Sequence, residues 1–248
     1  MIKAILFDLD GTLLPMEEDK YIKAYFSLLY NKVKDRGYSA DKLFGAIWKS
    51  FDATVINDGS RSNEDVFWDV FSSIMGTDVI KDKPIFDLFY SNEYNQAASS
   101  CGFEPKANAT VKKLKELGYT VILATNPVFP SPATRSRIKW AGMDVNDFSL
   151  VTTYENSSFC KPNVKYYEEI LSKMNLCGDE CIMIGNDAEE DMVASKLGLD
   201  VFLLTNCLIN RKNVDINQFP HGNFDSMWKF LDDKLSSGFD MGDMHYGK

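Results

Sequence analysis

The sequence predicts an α/β fold, in which a parallel sheet carries helices on both faces and an all-helical segment is inserted after the first strand. From about residue 105 onward, short apolar runs alternate with segments of helical periodicity. Such alternation is typical of a parallel sheet covered on both faces. Residues 15–100 show helical spacing and no convincing strand. An insertion at that point is expected to form a cap over one edge of the sheet.

Individual elements follow from local apolar patterns and their breaks. Strands are predicted at residues 2–7, 119–124, 149–152, 181–184 and 200–204. Helices are predicted at residues 108–118, 131–141, 163–174, 187–197 and 224–235, and residues 238–248 are predicted to fray. About four further helices are expected in the insertion. The predicted division is therefore an α/β core of residues 1–14 and 101–248 and a helical cap of residues 15–100.

Composition narrows the class of partner and the cellular setting. A formal net charge of −9 over 248 residues repels nucleic-acid backbones and anionic membranes, so neither is expected as a partner. The five cysteines show no metal-binding or redox spacing, which predicts free thiols. No apolar run is long enough to cross a bilayer, and no basic region precedes an apolar segment at the N-terminus. A cytoplasmic setting is expected.

Polar residues follow the predicted strands at the ends where parallel sheets bind ligands. They are Asp8 and Asp10, then Thr125 and Asn126, then Lys161, and finally Asn186, Asp187 and Asp191. Two carboxylates as close in sequence as Asp8 and Asp10 repel each other unless a cation lies between them or one is protonated. With Asp187 they form an oxygen-rich cluster suited to Mg²⁺. A carboxylate in such a site can act as a covalent nucleophile towards phosphorus.

These motifs together resemble a known family. The segment Asp8-Leu-Asp-Gly-Thr-Leu13 resembles the first motif of the haloacid dehalogenase-like hydrolase superfamily. Thr125-Asn126 resembles the second, Lys161-Pro162 the third and Gly185-Asn-Asp-x-x-x-Asp191 the fourth. The resemblance implies a Rossmann-like core, and the helical insertion resembles the family's first type of cap.

The resemblance also implies a role for each residue. Asp8 would be the nucleophile, and Asp10 the general acid and then the base that activates water. Thr125, Asn126 and Lys161 would bind the phosphoryl group, and Lys161 would also stabilise Asp8. Asp8, the backbone carbonyl of Asp10 and an acid of the fourth motif would hold Mg²⁺.

The fourth motif departs from the family pattern at one position. Asn186 stands directly after the glycine, where many relatives have aspartate. Asp187 is therefore expected to be the direct metal ligand, with Asn186 or Asp191 supporting it.

The leading function is magnesium-dependent hydrolysis of a small phosphorylated metabolite through an aspartyl-phosphate. A phosphosugar mutase or phosphotransferase would use the same residues, and a non-catalytic protein that binds a phosphorylated ligand is a further alternative. A dehalogenase is less favoured because its chemistry leaves Asp10 without a role. Trp48 or Phe51 of the insertion could face the substrate, whereas Arg135 and Arg137 are expected on the surface of a helix. The oligomeric state is not predicted.

Overall fold

Six short strands form one parallel sheet in the part of the chain that the structure describes. The computed structural model describes residues 1–235. The strands are β1 (Ala4–Phe7), β2 (Thr120–Leu123), β3 (Leu150–Val151), β4 (Cys181–Gly185), β5 (Asp200–Leu204) and β6 (His221–Gly222). Their order across the sheet is β3-β2-β1-β4-β5-β6, and every neighbouring pair is parallel. The predicted α/β fold is confirmed, and β6 is a strand that the sequence pattern did not predict.

The helices lie on both sides of this sheet and in the insertion. They are α1 (Glu18–Val33), α2 (Ala40–Val55), α3 (Asn63–Met75), α4 (Lys83–Ser91), α5 (Pro105–Glu116), α6 (Ser131–Trp140), α7 (Val164–Met174) and α8 (Phe224–Lys234). Several begin and end at recognisable signals. The hydroxyl of Ser62 accepts a hydrogen bond from the backbone of Asp65 at the start of α3, and Gly76 ends that helix.

Alternating side chains of the strands divide the sheet into two apolar faces. Ile5 and Phe7 of β1 pack in a cluster with residues of α5 and α8. Ala4 and Leu6 point the other way and pack in a cluster with residues of α7. Because β1 is buried on both faces, its residues are all apolar.

The insertion leaves and rejoins the sheet at nearly the same place. Met16 and Cys101 form an antiparallel bridge, and the backbone of Gly102 donates a hydrogen bond to the Pro15 carbonyl (2.7 Å). Helices α1 to α4 build an apolar cluster of their own, which also takes in Ala133 of α6. The helical character expected of residues 15–100 is therefore observed, and the exact domain boundaries stay a prediction.

One predicted helix is wrong in type. Residues 187–197 do not form an α-helix; turns are followed by a 3₁₀ helix, Met192–Leu197, which ends at Gly198. The side chains of Asp187 and Asp191 accept hydrogen bonds from backbone N–H groups in this stretch. Such bonds compete with regular helical hydrogen bonding.

Two further expectations concern the chain as a whole. No helix within residues 1–235 is both long and apolar enough to span a membrane. All five cysteines are free thiols, as predicted. The fraying predicted for residues 238–248 lies outside the described residues.

Candidate active site

The strand register brings three of the sequence motifs to one rim of the sheet. Phe7, the last residue of β1, lies opposite Leu123 of β2 and Ile184 of β4. The chain segments that follow these three residues therefore emerge side by side. They carry the first, second and fourth motifs.

Lys161 joins the first and fourth motifs through two ion pairs. Its Nζ lies 2.9 Å from Asp8 Oδ1 and 2.6 Å from Asp191 Oδ1. Burial by itself lowers the pKa of Lys161, but Asp191 and Asp8 outweigh that effect and raise this pKa well above its ordinary value. Burial raises the pKa of Asp8, and Lys161 opposes that rise. The lysine is thus a fixed cation against the carboxylate of Asp8.

The side chain of Asn186 connects the loop after β4 to the loop after β1 by a hydrogen bond. Thr12 Oγ1 donates to Asn186 Oδ1 (2.9 Å), and Asn186 Nδ2 donates to the carbonyl of Cys207 (2.7 Å). Gly11 sits against this side chain with a φ of +87°, and a Cβ there would lie 2.3 Å from Asn186 Nδ2. Both ends of the Asn186 amide are therefore used in positioning loops.

Asp191 also acts inside the fourth motif. Its Oδ2 accepts a hydrogen bond from the backbone of Asp187 (2.9 Å), and a Cβ on Gly185 would collide with this carboxylate. With Oδ1 on Lys161, both oxygens of the buried Asp191 are engaged. Asp187 Oδ1 accepts from the backbones of Glu189 and Glu190, while Oδ2 lies 3.3 Å from Arg211 Nη1.

The second motif contributes a buried threonine and an asparagine. Thr125 is buried, and its carbonyl accepts hydrogen bonds from Thr152 Oγ1 (2.7 Å) and from the hydroxyl of Tyr166 (3.0 Å). Asn126 Nδ2 donates to Glu190 Oε2 (3.0 Å). Burial raises the pKa of Glu190 to about 7.

Arg137 corrects an expectation from the sequence. It is not on the helix surface: only 1% of it is exposed, and its guanidinium donates to Asp10 Oδ2. The guanidinium also lies over the ring of Phe129, with Cζ 4.7 Å from the ring centroid. Burial raises the pKa of Asp10, and Arg137 opposes part of that rise. Arg135, by contrast, is exposed as expected.

The spacing of residues along α6 could have predicted that Arg137 is buried. Arg137 lies three and four residues from Thr134 and Ala133 and next to Ile138, all of them buried. Residues three or four apart share one face of a helix. Arg137 therefore occupies the buried face, although its residue type favours the surface.

A cavity of about 380 Å³ opens over these residues. It is lined by predicted site residues of the first, second and fourth motifs, namely Asp8, Asp10, Thr125, Asn126, Asn186, Asp187 and Asp191. Lys161 is buried outside this lining and contacts Asp8, which belongs to it. Five charged residues of the lining were not predicted as site residues: Glu18, Asp52, Arg137, Glu190 and Arg211. The structure thus places seven predicted site residues around one cavity and the eighth, Lys161, directly behind Asp8.

The oxygen donors of this rim fit a hard cation. Asp10 Oδ1 is buried without a hydrogen-bond partner, and the carboxylates of Asp8 and Asp187 line the same cavity. Within residues 1–235, no three acidic, histidine or cysteine side chains are grouped closely enough to hold an ion alone. A metal here would therefore need backbone or water oxygens as well, which Mg²⁺ commonly uses.

Comparison with known proteins gives the family. The family model described as haloacid dehalogenase-like hydrolase matches residues 2–198. The chain belongs to this family. Within it, the chain is 25% identical over 213 residues to a phosphoglycolate phosphatase of Vibrio parahaemolyticus, covering 82% of this chain and 84% of that one. It is 24% identical over 207 residues to a glyceraldehyde 3-phosphate phosphatase of Methanothermobacter thermautotrophicus, covering 82% and 86%.

Solved structures share the fold of this family member. A haloacid dehalogenase-like phosphatase from Thermococcus onnurineus superposes with a TM-score of 0.58 at 21% identity, covering 93% of this chain and 98% of that one. A 2-haloacid dehalogenase from Pseudomonas syringae superposes with a TM-score of 0.63 at 16% identity, covering 95% and 100%. The family prediction and the prediction of a hydrolase are confirmed, but the fold alone does not separate the two chemistries.

Proposed function

We propose that this chain is a phosphatase that hydrolyses a small phosphomonoester through a phosphorylated Asp8. Both curated relatives described above are named as phosphatases of small phosphorylated metabolites. Identities of 24–25% support the reaction class and leave the individual substrate open.

The observation that carries this proposal is the second carboxylate of the first motif. Asp10 lines the cavity beside Asp8 and is held by Arg137 rather than by Lys161. Displacement of a halide needs no proton on the leaving group, whereas an alkoxide leaving from phosphorus does. A carboxyl group separate from the nucleophile therefore favours phosphoryl transfer.

In the first step, an oxygen of Asp8 attacks phosphorus and the bond from phosphorus to the leaving oxygen breaks. Lys161, which is fixed against Asp8 at 2.9 Å, offsets negative charge as the two anions approach. Asp10 in its protonated form gives its proton to the leaving alkoxide, so that an alcohol departs. Thr125 is proposed to orient the phosphoryl oxygens.

In the second step, water attacks phosphorus of the aspartyl-phosphate and the bond to Asp8 breaks. Asp10, now a carboxylate, takes the proton from the attacking water. Inorganic phosphate leaves, and both aspartates return to their starting forms. Arg137 holds Asp10 in one position through both transfers.

The donor set is proposed to hold Mg²⁺ through Asp8, the backbone carbonyl of Asp10, and Asp187. When bound, the ion would neutralise charge on the phosphoryl group. Asn186 and Asp191 are proposed to support the site without ligating, because their side-chain groups already bond Thr12, Cys207, Lys161 and the Asp187 backbone.

The proposal is tested with p-nitrophenyl phosphate, with Mg²⁺ or with EDTA, on the wild type and on Asp8→Asn. Turnover is expected to require Mg²⁺, and kcat should fall at least about a thousandfold in the variant because the nucleophile is lost. Acid quenching of the wild type during turnover should trap one phosphoryl group on the peptide that contains Asp8.

The control is Asp232→Asn, which alters an exposed aspartate of α8 and should keep wild-type kcat. Turnover that survives in Asp8→Asn would refute the nucleophile. Release of free phosphate from a phosphosugar separates a phosphatase from a mutase, which would return an isomeric phosphosugar instead.

A further inference from the structure

The cavity over Asp8 has walls of two different chemical kinds. The sheet rim supplies charged and polar groups, whereas α1, α2 and the loop before α6 supply mainly apolar side chains. The apolar wall consists of Ile22, Phe26, Trp48, Phe51, Val55 and Phe129. Its rings are in contact: centroids lie 5.2 Å apart for Phe51 and Phe129, and 5.6 Å apart for Phe26 and Trp48.

Part of this aromatic wall is exposed. Trp48 is 43% exposed although it is among the largest apolar side chains, and Phe51 is half-buried. Apolar surface left in contact with water is unfavourable in free energy. A ligand that covers these rings would remove that surface from water.

The charges around the cavity are unbalanced towards acid. Seven carboxylates and two guanidinium groups line it. Arg137 is committed to Asp10, and Arg211 bridges Glu18 (2.5 Å) and Asp187 (3.3 Å). Among the described residues that α1 and α2 contribute to the lining, none is basic, and Asp52 adds a further negative charge.

A phosphoryl group at the rim would lie against Asp8, whose carboxylate is paired with the buried Lys161, and it could share a metal with Asp8 and Asp187. A second anionic group on the leaving group would instead face the aromatic wall and Asp52, where α1 and α2 contribute no cation to the lining. Burial of an unpaired charge in such surroundings is strongly unfavourable.

From this cavity we infer the substrate class: a phosphomonoester whose leaving group is uncharged and largely apolar, of aryl or alkyl type. This inference rests on the proposed phosphatase function. Phosphomonoesters whose leaving group carries a carboxylate are poor substrates for this chain. Phosphoglycolate, which appears in the name of the Vibrio relative, is one of them. Trp48 and Phe51 are the side chains that select the apolar group.

Two matched pairs of esters test charge and apolar contact separately. 4-Carbamoylphenyl and 4-carboxyphenyl phosphate have nearly the same shape and differ in charge, so kcat/KM should be at least about tenfold higher for the amide. 2-Phenylethyl and ethyl phosphate have alcohols of similar basicity, and kcat/KM should be about tenfold higher for the aromatic ester.

Variants of the wall connect this preference to named residues. Trp48→Ala and Phe51→Ala should each lower kcat/KM for 2-phenylethyl phosphate about fivefold, and should change ethyl phosphate less than about twofold. The control is Leu88→Ala in α4, an apolar residue that is 54% exposed and outside the lining, and it should change neither ester. Phe51→Leu, which keeps an apolar side chain, should give a smaller loss if the alanine variant folds poorly.

A gain of function completes the test. Val55→Lys places a cation in the apolar wall and should raise kcat/KM for 4-carboxyphenyl phosphate relative to the amide about tenfold. Turnover that depends on Asp8 but favours 4-carboxyphenyl phosphate or phosphoglycolate would overturn the inferred substrate class and leave the phosphatase function standing. If no ester is turned over in an Asp8-dependent manner, the proposed function fails and the substrate class with it.

Discussion

Each of the two aspartates of the first motif forms an ion pair with a different buried cation. Lys161 contacts Asp8 and Asp191, and Arg137 contacts Asp10. Because each carboxylate has its own cation, the two can lie close together without strong repulsion. The two aspartates can also take different protonation states, as a nucleophile and a proton donor must.

Replacement of Arg137 by methionine should weaken both stability and turnover. The variant leaves Asp10 partly buried without its cation, which should lower the free energy of unfolding by about 2 kcal/mol, less than for a fully buried pair because the Asp10 side chain is 27% exposed. Loss of a fixed orientation for Asp10 should lower kcat about tenfold to a hundredfold. Urea unfolding and p-nitrophenyl phosphate turnover measure the two effects.

The matched control is Arg135→Met on the same helix, which removes an exposed guanidinium bonded to Ser131 and should change little. Combining Arg137→Met with Asp10→Asn should recover most of the lost stability but not the activity, since the unpaired charge is gone. If the double variant is less stable than Arg137→Met alone, the ion-pair explanation is wrong.

At the scale of elements, the loops after β1 and β4 interlock through a close contact. Asn186 accepts a hydrogen bond from the hydroxyl of Thr12, and its side chain packs directly against Gly11. The contact brings the first and fourth motifs together on the rim. It also explains why a side chain cannot be added at Gly11 without displacing Asn186.

Gly11→Ala should therefore destabilise the protein more than Gly37→Ala does. Both glycines have nearly the same positive φ, +87° and +83°, so the backbone penalty of about 1 kcal/mol is common to the two. Only Gly11 has a neighbour in the way, and the clash should add about 2 kcal/mol. Urea unfolding compares the two variants, and equal losses would show that the Asn186 contact does not restrict this position.

At the scale of the whole molecule, the helical insertion and the sheet are built around separate apolar clusters. The insertion's cluster reaches the rest of the chain through Phe129, Ala133 and Trp140. The insertion begins and ends at the bridge between Met16 and Cys101. This arrangement predicts that the core, of which residues 1–14 and 101–235 are described, could fold without the cap.

Replacement of residues 17–100 by a short glycine-serine linker tests that division. The shortened chain should keep the circular dichroism of an α/β protein and unfold cooperatively, because both faces of the sheet keep their helices. Its free energy of unfolding should be lower by about 3 kcal/mol, since apolar side chains of α6 lose their partners. An unfolded spectrum would refute the proposed boundaries.

Local pattern alone determined the elements and the order of the motifs. Strand β5 was predicted with its observed bounds, and α6, α7 and α8 within a residue or so at each end, because apolar periodicity and terminating glycines act over a few residues. The strand β6 was missed because His221–Gly222 contains no apolar side chain, whereas the equally short β3 lies in an apolar run. The 3₁₀ helix after Asp191 was missed because Asp187 and Asp191 use their side chains to bond the backbone.

The tertiary structure decided which side chains meet. Arg137 contacts Asp10, which is 127 residues away in the sequence, and Thr12 contacts Asn186, which is 174 residues away. No local pattern specifies such pairs, because they depend on how α6 and the strand ends are placed on the sheet. The aromatic wall that faces Asp8 likewise exists only once α1 and α2 pack over the rim. The sequence by itself determined the family and its chemical groups, and the packing of distant elements determined the buried cations and the shape of the cavity.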